Sequence, residues 1–236
     1  MEKPVYEALP LPDRREMTEA EMAHAAEAFL ALMRTRHSIR DYSDRPVPRG
    51  VIETCVAAAG SAPSGANQQP WHFVSISDPS MKVRIREAAE EEERAFYSGG
   101  GGDEWLAALE PIGTDASKPH LTVAPWLIVI FAQRWGMREG RRIKHYYVPE
   151  SVGIATGMLI TALHHAGLSC LTHTPNPMKF LNALCDRPES EKPVMILAVG
   201  HPGEGATVPA VAKKKKALAE ILTVREEMTV REGEPR

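Results

Sequence analysis

Three cysteines stand in 236 residues, and no two of them form a Cys-x-x-Cys pair. Cys55, Cys170 and Cys185 are an odd number with no secretion signal at Met1, so reduced thiols and a cytoplasmic location are expected. Cys55 lies in the apolar run Val51 to Ala59, which points to packing rather than reactivity. None of the nine histidines makes a His-Glu-x-x-His or similar spacing, so no metal is expected. A net charge of −3 gives no electrostatic reason for a nucleic-acid or membrane partner. No apolar run approaches the length of a membrane span. Internal repeats and a dividing linker are also missing. What is left is a chain long enough for a sizeable core, in which helices alternate with a few strands.

The expected organisation is an arm at 1–16, one α+β domain at 17–224 and a charged tail at 225–236. Thr18-Glu19-Ala20-Glu21 carries a capping signature, and Met22, Ala26, Phe29, Leu30 and Met33 follow at helical spacing, predicting a helix to about Arg34. Pro46 and Pro48 precede a second helix over Arg49 to Ala59, and a strand over Trp71 to Ser77 follows. Pro79 opens a third helix, expected to reach Tyr97. Four glycines at 99–102 then read as a hinge, Trp105, Leu106 and Leu109 as a short helix, and the whole of 90–118 as a lid. Ala124 to Ala132 is apolar and partly β-branched, which predicts a buried central strand. Arg138 to Lys144 reads as a basic loop. Val152 to Ala166 reads as a helix with small residues suited to a core or dimer contact, with Gly167 after it. Leu168 to Thr174 and Val194 to Val199 read as strands, with a short helix at Met178 to Leu184 between them.

Two polar segments stand out. If Arg36-His37-Ser38-Ile39-Arg40 is extended, Arg36, Ser38 and Arg40 project to one side, an arrangement suited to phosphate. Ser61 to Trp71 holds two prolines, a glycine and several uncharged hydrogen-bonding side chains, which suits a loop whose backbone can approach a ligand. Taken alone, a solvated basic stretch and a surface turn explain them more readily than a binding site does.

Together with Gly200-His201-Pro202, these segments resemble the FMN-dependent nitroreductase superfamily. Glu90 to Glu93, Tyr97, Trp105 and Lys118 add a resemblance to its iodotyrosine deiodinase branch, as do Lys144 to Tyr147, Thr172-His173-Thr174-Pro175 and Ala206 to Pro209. The resemblance implies a central, mainly antiparallel sheet flanked by helices, and a domain-swapped homodimer with FMN at its interface. Vertebrate members carry a membrane anchor, so a soluble, bacterial-type homologue is implied here.

By resemblance, Arg36, His37, Ser38, Ile39 and Arg40 hold FMN, with the guanidinium of Arg40 at the flavin edge that becomes anionic on reduction. Pro63, Ser64 and Gly65 also touch FMN. Thr172 and His173 line it, and the hydroxyl of Thr174 donates to flavin N5, favouring one-electron steps. Lys213 or Lys215 replaces an arginine at the phosphate. The Ala66 N–H donates to the phenolate of a halotyrosine, which is ionised more readily than tyrosine. Glu93 takes the substrate ammonium, Lys118 the carboxylate, and Tyr97 adds a hydroxyl. Ala66 and Thr174 are thus the expected catalytic groups, and an external electron donor of unknown identity is needed. Rival readings are a nitro or quinone reductase or a halophenol dehalogenase of the same fold, and a flavin-binding protein that sequesters halotyrosine.

Overall fold

The computed structural model describes residues 6–11 and 15–226, so the expected arm and tail each lie partly outside it. It divides into two compact units at Arg36/His37. Among its described residues the first holds one helix, α1 (Glu19–Arg34). Thr18 accepts from the Glu21 N–H and Glu21 returns a bond to the Thr18 N–H, closing the expected capping box. Acidic side chains in the first turn and Arg34 in the last complement the helix dipole.

In the second unit, β1 (Trp71–Ile76), β2 (Trp126–Gln133), β6 (Glu191–Gly200) and β5 (Ser169–His173) form one sheet in the order β1-β2-β6-β5, every pair antiparallel. The expected antiparallel sheet is therefore present. The run that predicted β2 is continuously apolar because both faces of the strand are covered. Leu127, Val129 and Phe131 face a cluster that includes Ile85, Ala89, Leu121 and Leu181. These come from α3 (Pro79–Ala95), α5 (His120–Val123) and α7 (Phe180–Leu184). Ile128 and Ile130 face Ile52, Cys55, Val152 and Leu159 from α2 (Arg49–Gly60) and α6 (Val148–His165). Cys55, Cys170 and Cys185 are all buried, as a packing role for Cys55 requires.

Two segments depart from expectation. Arg138 to Lys144 is part of a hairpin of β3 (Trp135–Arg138) and β4 (Arg141–Lys144), not a loop. Glu139 (φ 52°) and Gly140 (φ 75°) supply the two left-handed residues that a tight two-residue turn demands. Glutamate is a weak advertisement for that geometry. The third helix stops at Ala95 and relaxes into a wider turn, Phe96–Gly100, in which Gly99 takes a φ of 117°. Tyr97 thus lies beyond the helix that was expected to carry it. α4 (Asp103–Leu109) and a 3-10 turn, Glu110–Ile112, follow within the segment expected to form a lid. Among the described residues, no helix is long and apolar enough to cross a membrane.

Candidate active site

The periodicity of α3 sorts its acidic run. Residues 86, 90 and 93 recur at helical spacing. Arg86 Nε donates to Glu90 at 2.6 Å, and Glu90 in turn accepts the backbone N–H of Lys118 at 2.7 Å. This pins the end of the lid to α3. Glu93 meets Lys118 directly, Nζ to Oε2 3.1 Å, with the side chains only 4% and 14% exposed. Lys118 Nζ also donates to Thr114 Oγ1 at 3.0 Å and to the Asp115 carbonyl. Tyr97 donates its hydroxyl to the Thr114 carbonyl at 3.0 Å. Phe96 packs edge-on between Tyr97 and Trp105, at centroid distances of 5.3 and 4.9 Å. The 90–118 segment is therefore built on an aromatic wedge and a buried ion pair.

These groups surround a cavity of about 210 Å³, together with Arg40, Thr172, His173 and Thr174. Arg40 is placed by its neighbours. Ile39 and Tyr42 are buried, Tyr42 donates to the Ala198 carbonyl at 2.8 Å, and the Gly203 N–H donates to the Asp41 carbonyl at 2.9 Å. The segment is thereby laced to the end of β6. Arg40 also lines a second cavity of about 380 Å³ with Thr207, Val208 and Pro209. Along β5, strand alternation turns Thr172 outward and buries His173 with Leu171 on the α3 side. Burial, then the nearby His120, Lys118 and Arg40, push the His173 pKa down to about 3. Burial, then Lys118, Arg40 and Arg86, push His120 down to about 4.

The loop at Pro63–Ala66 lines neither of these cavities. It lies against the start of α6 instead. Gly65 N–H donates to Ser151 Oγ (3.4 Å), and Gln68 bridges the Lys144 carbonyl (3.1 Å) and the Tyr146 N–H (2.8 Å). A Cβ on Gly65 would sit 2.8 Å from the Tyr146 carbonyl oxygen, so only glycine lets the two backbones meet. Ser64 Oγ accepts the Gln69 N–H at 2.9 Å. Ala66, Asn67 and Gln69 all have φ near 50°, a strained left-handed conformation for residues with a Cβ. The amides of residues 65, 67, 68, 69 and 71 donate within the protein, and none of those bonds uses the Ala66 N–H.

Of the remaining expected residues, His37 and Ser38 are half-buried ahead of Arg40, and Arg36 ends the first unit. Lys213 and Lys215 are exposed, and Lys215 Nζ is turned back onto the Ala212 carbonyl at 2.8 Å. Sequence reasoning missed the parts played by Glu90, Gln68, Ser151 and His120. A histidine two residues after Lys118 carries no spacing signal, and a glutamine in a loop carries none either.

An antiparallel sheet between helical layers, with Arg40 and the Thr172–Thr174 segment meeting at its end, defines the class. The chain belongs to the nitroreductase family, whose model matches residues 33–201. Within that family it is similar to iodotyrosine deiodinases. It is 45% identical to the one from Haliscomenobacter hydrossis over 86% of this chain and 91% of the relative. It is 40% identical to the one from Nematostella vectensis, over 88% of this chain and 79% of that protein. A crystal structure of oxidised iodotyrosine deiodinase bound to FMN and 3-iodo-L-tyrosine superposes with a TM-score of 0.71 at 27% identity, covering 84% of this chain and 98% of that one.

Proposed function

We propose that the protein is an FMN-dependent reductive dehalogenase of halotyrosines, turning 3-iodotyrosine into tyrosine and iodide, with bromo- and chlorotyrosine as further substrates. The observation that carries this reading is the buried Glu93–Lys118 pair in the wall of the cavity that Arg40 and Thr174 share. A carboxylate and an ammonium side by side are complementary to the two ends of an amino acid. An entering zwitterion exchanges one buried ion pair for two, its ammonium on Glu93 and its carboxylate on Lys118. Tyr97 and Trp105 close the lid over it and exclude water. Similarity to iodotyrosine deiodinases over nine-tenths of one relative supports the same reading.

The donor set fits a flavin mononucleotide. Arg40 offers a cation to the ring edge, and the hydroxyls of Thr172 and Thr174 offer neutral donors beside it. His37 and Ser38 lead toward the phosphate; the parts of Arg36 and of Lys213 or Lys215 there rest on the family resemblance. When bound, FMN supplies the electrons for breaking the carbon–halogen bond. The overall change consumes two electrons and a proton, and an external donor must replace the electrons. The chain's own task at the ring is to hold the phenolate oxygen. The Ala66 N–H, left out of the loop's internal bonds, is the group for that.

Because the Pro63–Ala66 loop lines neither cavity of its own chain, a second copy completes the site in a domain-swapped homodimer. α6 supports this. Gly153 and Gly157 have open space where a Cβ would be, Ile154 beside them is 47% exposed, and an apolar groove of about 580 Å³ runs along Val152, Ile160, Val194 and Met195. Light scattering is expected to give twice the 26.0 kDa chain mass, and a monomer would remove the shared site. Cys55 and Cys185, buried free thiols, suit a reducing cytoplasm.

The decisive experiment uses purified protein with its flavin reduced by dithionite under anaerobic conditions. Mixing with 3-iodotyrosine is expected to restore the oxidised flavin spectrum and release one iodide per flavin. Tight binding without reoxidation would instead favour a sequestering protein. Turnover of nitroarenes with no effect on iodotyrosine would favour a general reductase.

A further inference from the structure

Two buried imidazoles stand behind the Glu93–Lys118 pair. His173, 7% exposed, ends β5; His120, 3% exposed, opens α5. Their rings pack edge to face at 5.6 Å and 77°. Among the described residues, the Nε2 of neither ring has a hydrogen-bond partner. A buried polar nitrogen left that way loses its hydration without compensation, so a structure that keeps two of them calls for a reason. For His173 the surroundings supply one. Its Nε2 lies 3.9 Å from Glu93 Oε1, while Lys118 occupies the other oxygen, Oε2, at 3.1 Å. A separation of 3.9 Å is under an ångström or so from a hydrogen bond, within reach of a small rotation of the carboxylate.

We infer that His173 is a positioning residue for Glu93: when the substrate ammonium displaces Lys118 from one carboxylate oxygen, the Nε2–H of His173 holds the other. This rests on the reading of Glu93 as the ammonium's partner. The ring acts as a neutral donor, so the charges left to recognise the zwitterion are those of Glu93, Lys118 and Arg40. A protonated ring would place a cation beside Glu93 and compete with the ammonium. The groups around the pair are Lys118 at the far end of the 90–118 segment, Arg86, Glu90 and Glu93 on α3, and Arg40 before β1, and burial among them keeps the ring neutral. His120 acts through His173. Packed edge-on, it blocks rotation of the ring away from the carboxylate. It is itself carried by α5, whose end is held by buried Lys82 donating to the Ala124 carbonyl at 2.8 Å. The Glu93 carboxylate is thus steered from the strand side while the lid charge lets go of it.

The test is a pair of affinities, for 3-iodotyrosine and for 2-iodophenol, which lacks the amino-acid end, each read by quenching of flavin fluorescence on the holoprotein. His173→Leu is expected to lower the preference for iodotyrosine over iodophenol by about tenfold, the scale of a hydrogen bond to a charged group. In turnover the loss is expected in KM with little change in kcat. His173→Gln, whose amide can place an N–H near the position of Nε2, is expected to recover the preference to within about threefold. If the leucine variant does not fold, His173→Val on the same strand carries the comparison. A ratio unchanged in the leucine or valine variant, or a glutamine variant no better than leucine, overturns the inference. Glu93→Gln measured alongside separates the two claims. If it destroys the preference while the His173 variants keep theirs, only the role of His173 fails. If Glu93→Gln keeps the preference as well, the reading of Glu93 fails and takes the inference with it.

Discussion

Glu93→Gln is expected to reduce kcat/KM for 3-iodotyrosine by about 30- to 1,000-fold, and to reduce the value for 2-iodophenol far less. Removing one member of a buried, hydrogen-bonded charge pair costs about 2–4 kcal/mol, and each 1.4 kcal/mol is a factor of ten. Glu93 qualifies because its partner is close and dry: Lys118 Nζ at 3.1 Å, 4% exposed. Glutamine keeps the shape and one acceptor but loses the charge proposed to face the ammonium. It also leaves Lys118 without its anion, so some loss of stability accompanies the change. Comparison of two substrates removes that complication. A general loss of folded protein lowers both rates alike, whereas loss of ammonium recognition lowers only one. Equal losses for iodotyrosine and iodophenol would show that Glu93 supports the lid rather than the substrate. No loss for either would remove the lid from the account of specificity altogether.

How much of this site the sequence could reveal depended on the kind of signal each part leaves. α1 was readable because Thr18 and Glu21 are a local device that works through neighbours three apart. β2 was readable because a strand covered on both faces must be apolar throughout. The hairpin at 135–144 was not, since its turn is formed by Glu139 and Gly140 rather than by Asn-Gly or Asp-Gly. The end of α3 was blurred by a wide turn that keeps Phe96 and Tyr97 helical in appearance before Gly99 breaks away. At the site, spacing alone could put Glu93 and Tyr97 near each other, but only family resemblance joined them to Lys118, twenty-five residues on. The contact is a matter of lid folding, through Glu90 and the Lys118 backbone, that no periodicity encodes. The Ser61–Trp71 loop carried its polar character openly. Its placement against Tyr146 and Ser151, apart from the lid cavity, is a tertiary fact and could not be read from the loop. His120 is the extreme case, a titratable side chain whose meaning comes entirely from the ring packed against it.

That same pair makes the protein sensitive to acid well above the range in which carboxylates are protonated. Lowering the pH from 7 to 5 is expected to cost about 2 kcal/mol of unfolding free energy for each of His120 and His173, about 4 kcal/mol together. Both fold with pKa values depressed from the ordinary 6.5, to about 4 and about 3. A histidine depressed in this way contributes its full stability above 6.5, where folded and unfolded forms are equally neutral. Below 6.5 the unfolded chain takes up a proton that the folded chain refuses. Stability then falls by about 1.4 kcal/mol per pH unit for each ring, until the folded pKa is reached. Glu90 and Glu191 have folded pKa values lowered from 4.5, so their contribution is lost only at more acid pH and does not confuse the interval. His72 is shifted down by burial and by Arg187, and adds to the loss in the same direction. Against a net stability of about 5–15 kcal/mol, 4 kcal/mol is a large fraction. Urea unfolding at pH 7 and pH 5 measures it directly. In the double variant His120→Gln with His173→Gln, the fall in unfolding free energy between those two pH values is expected to shrink by about 4 kcal/mol, whatever the variant's stability at pH 7. An undiminished fall would mean that the two rings take up protons in the folded protein as readily as in the unfolded chain, so that below about pH 6.5 His173 would face Glu93 as a cation rather than as a neutral donor.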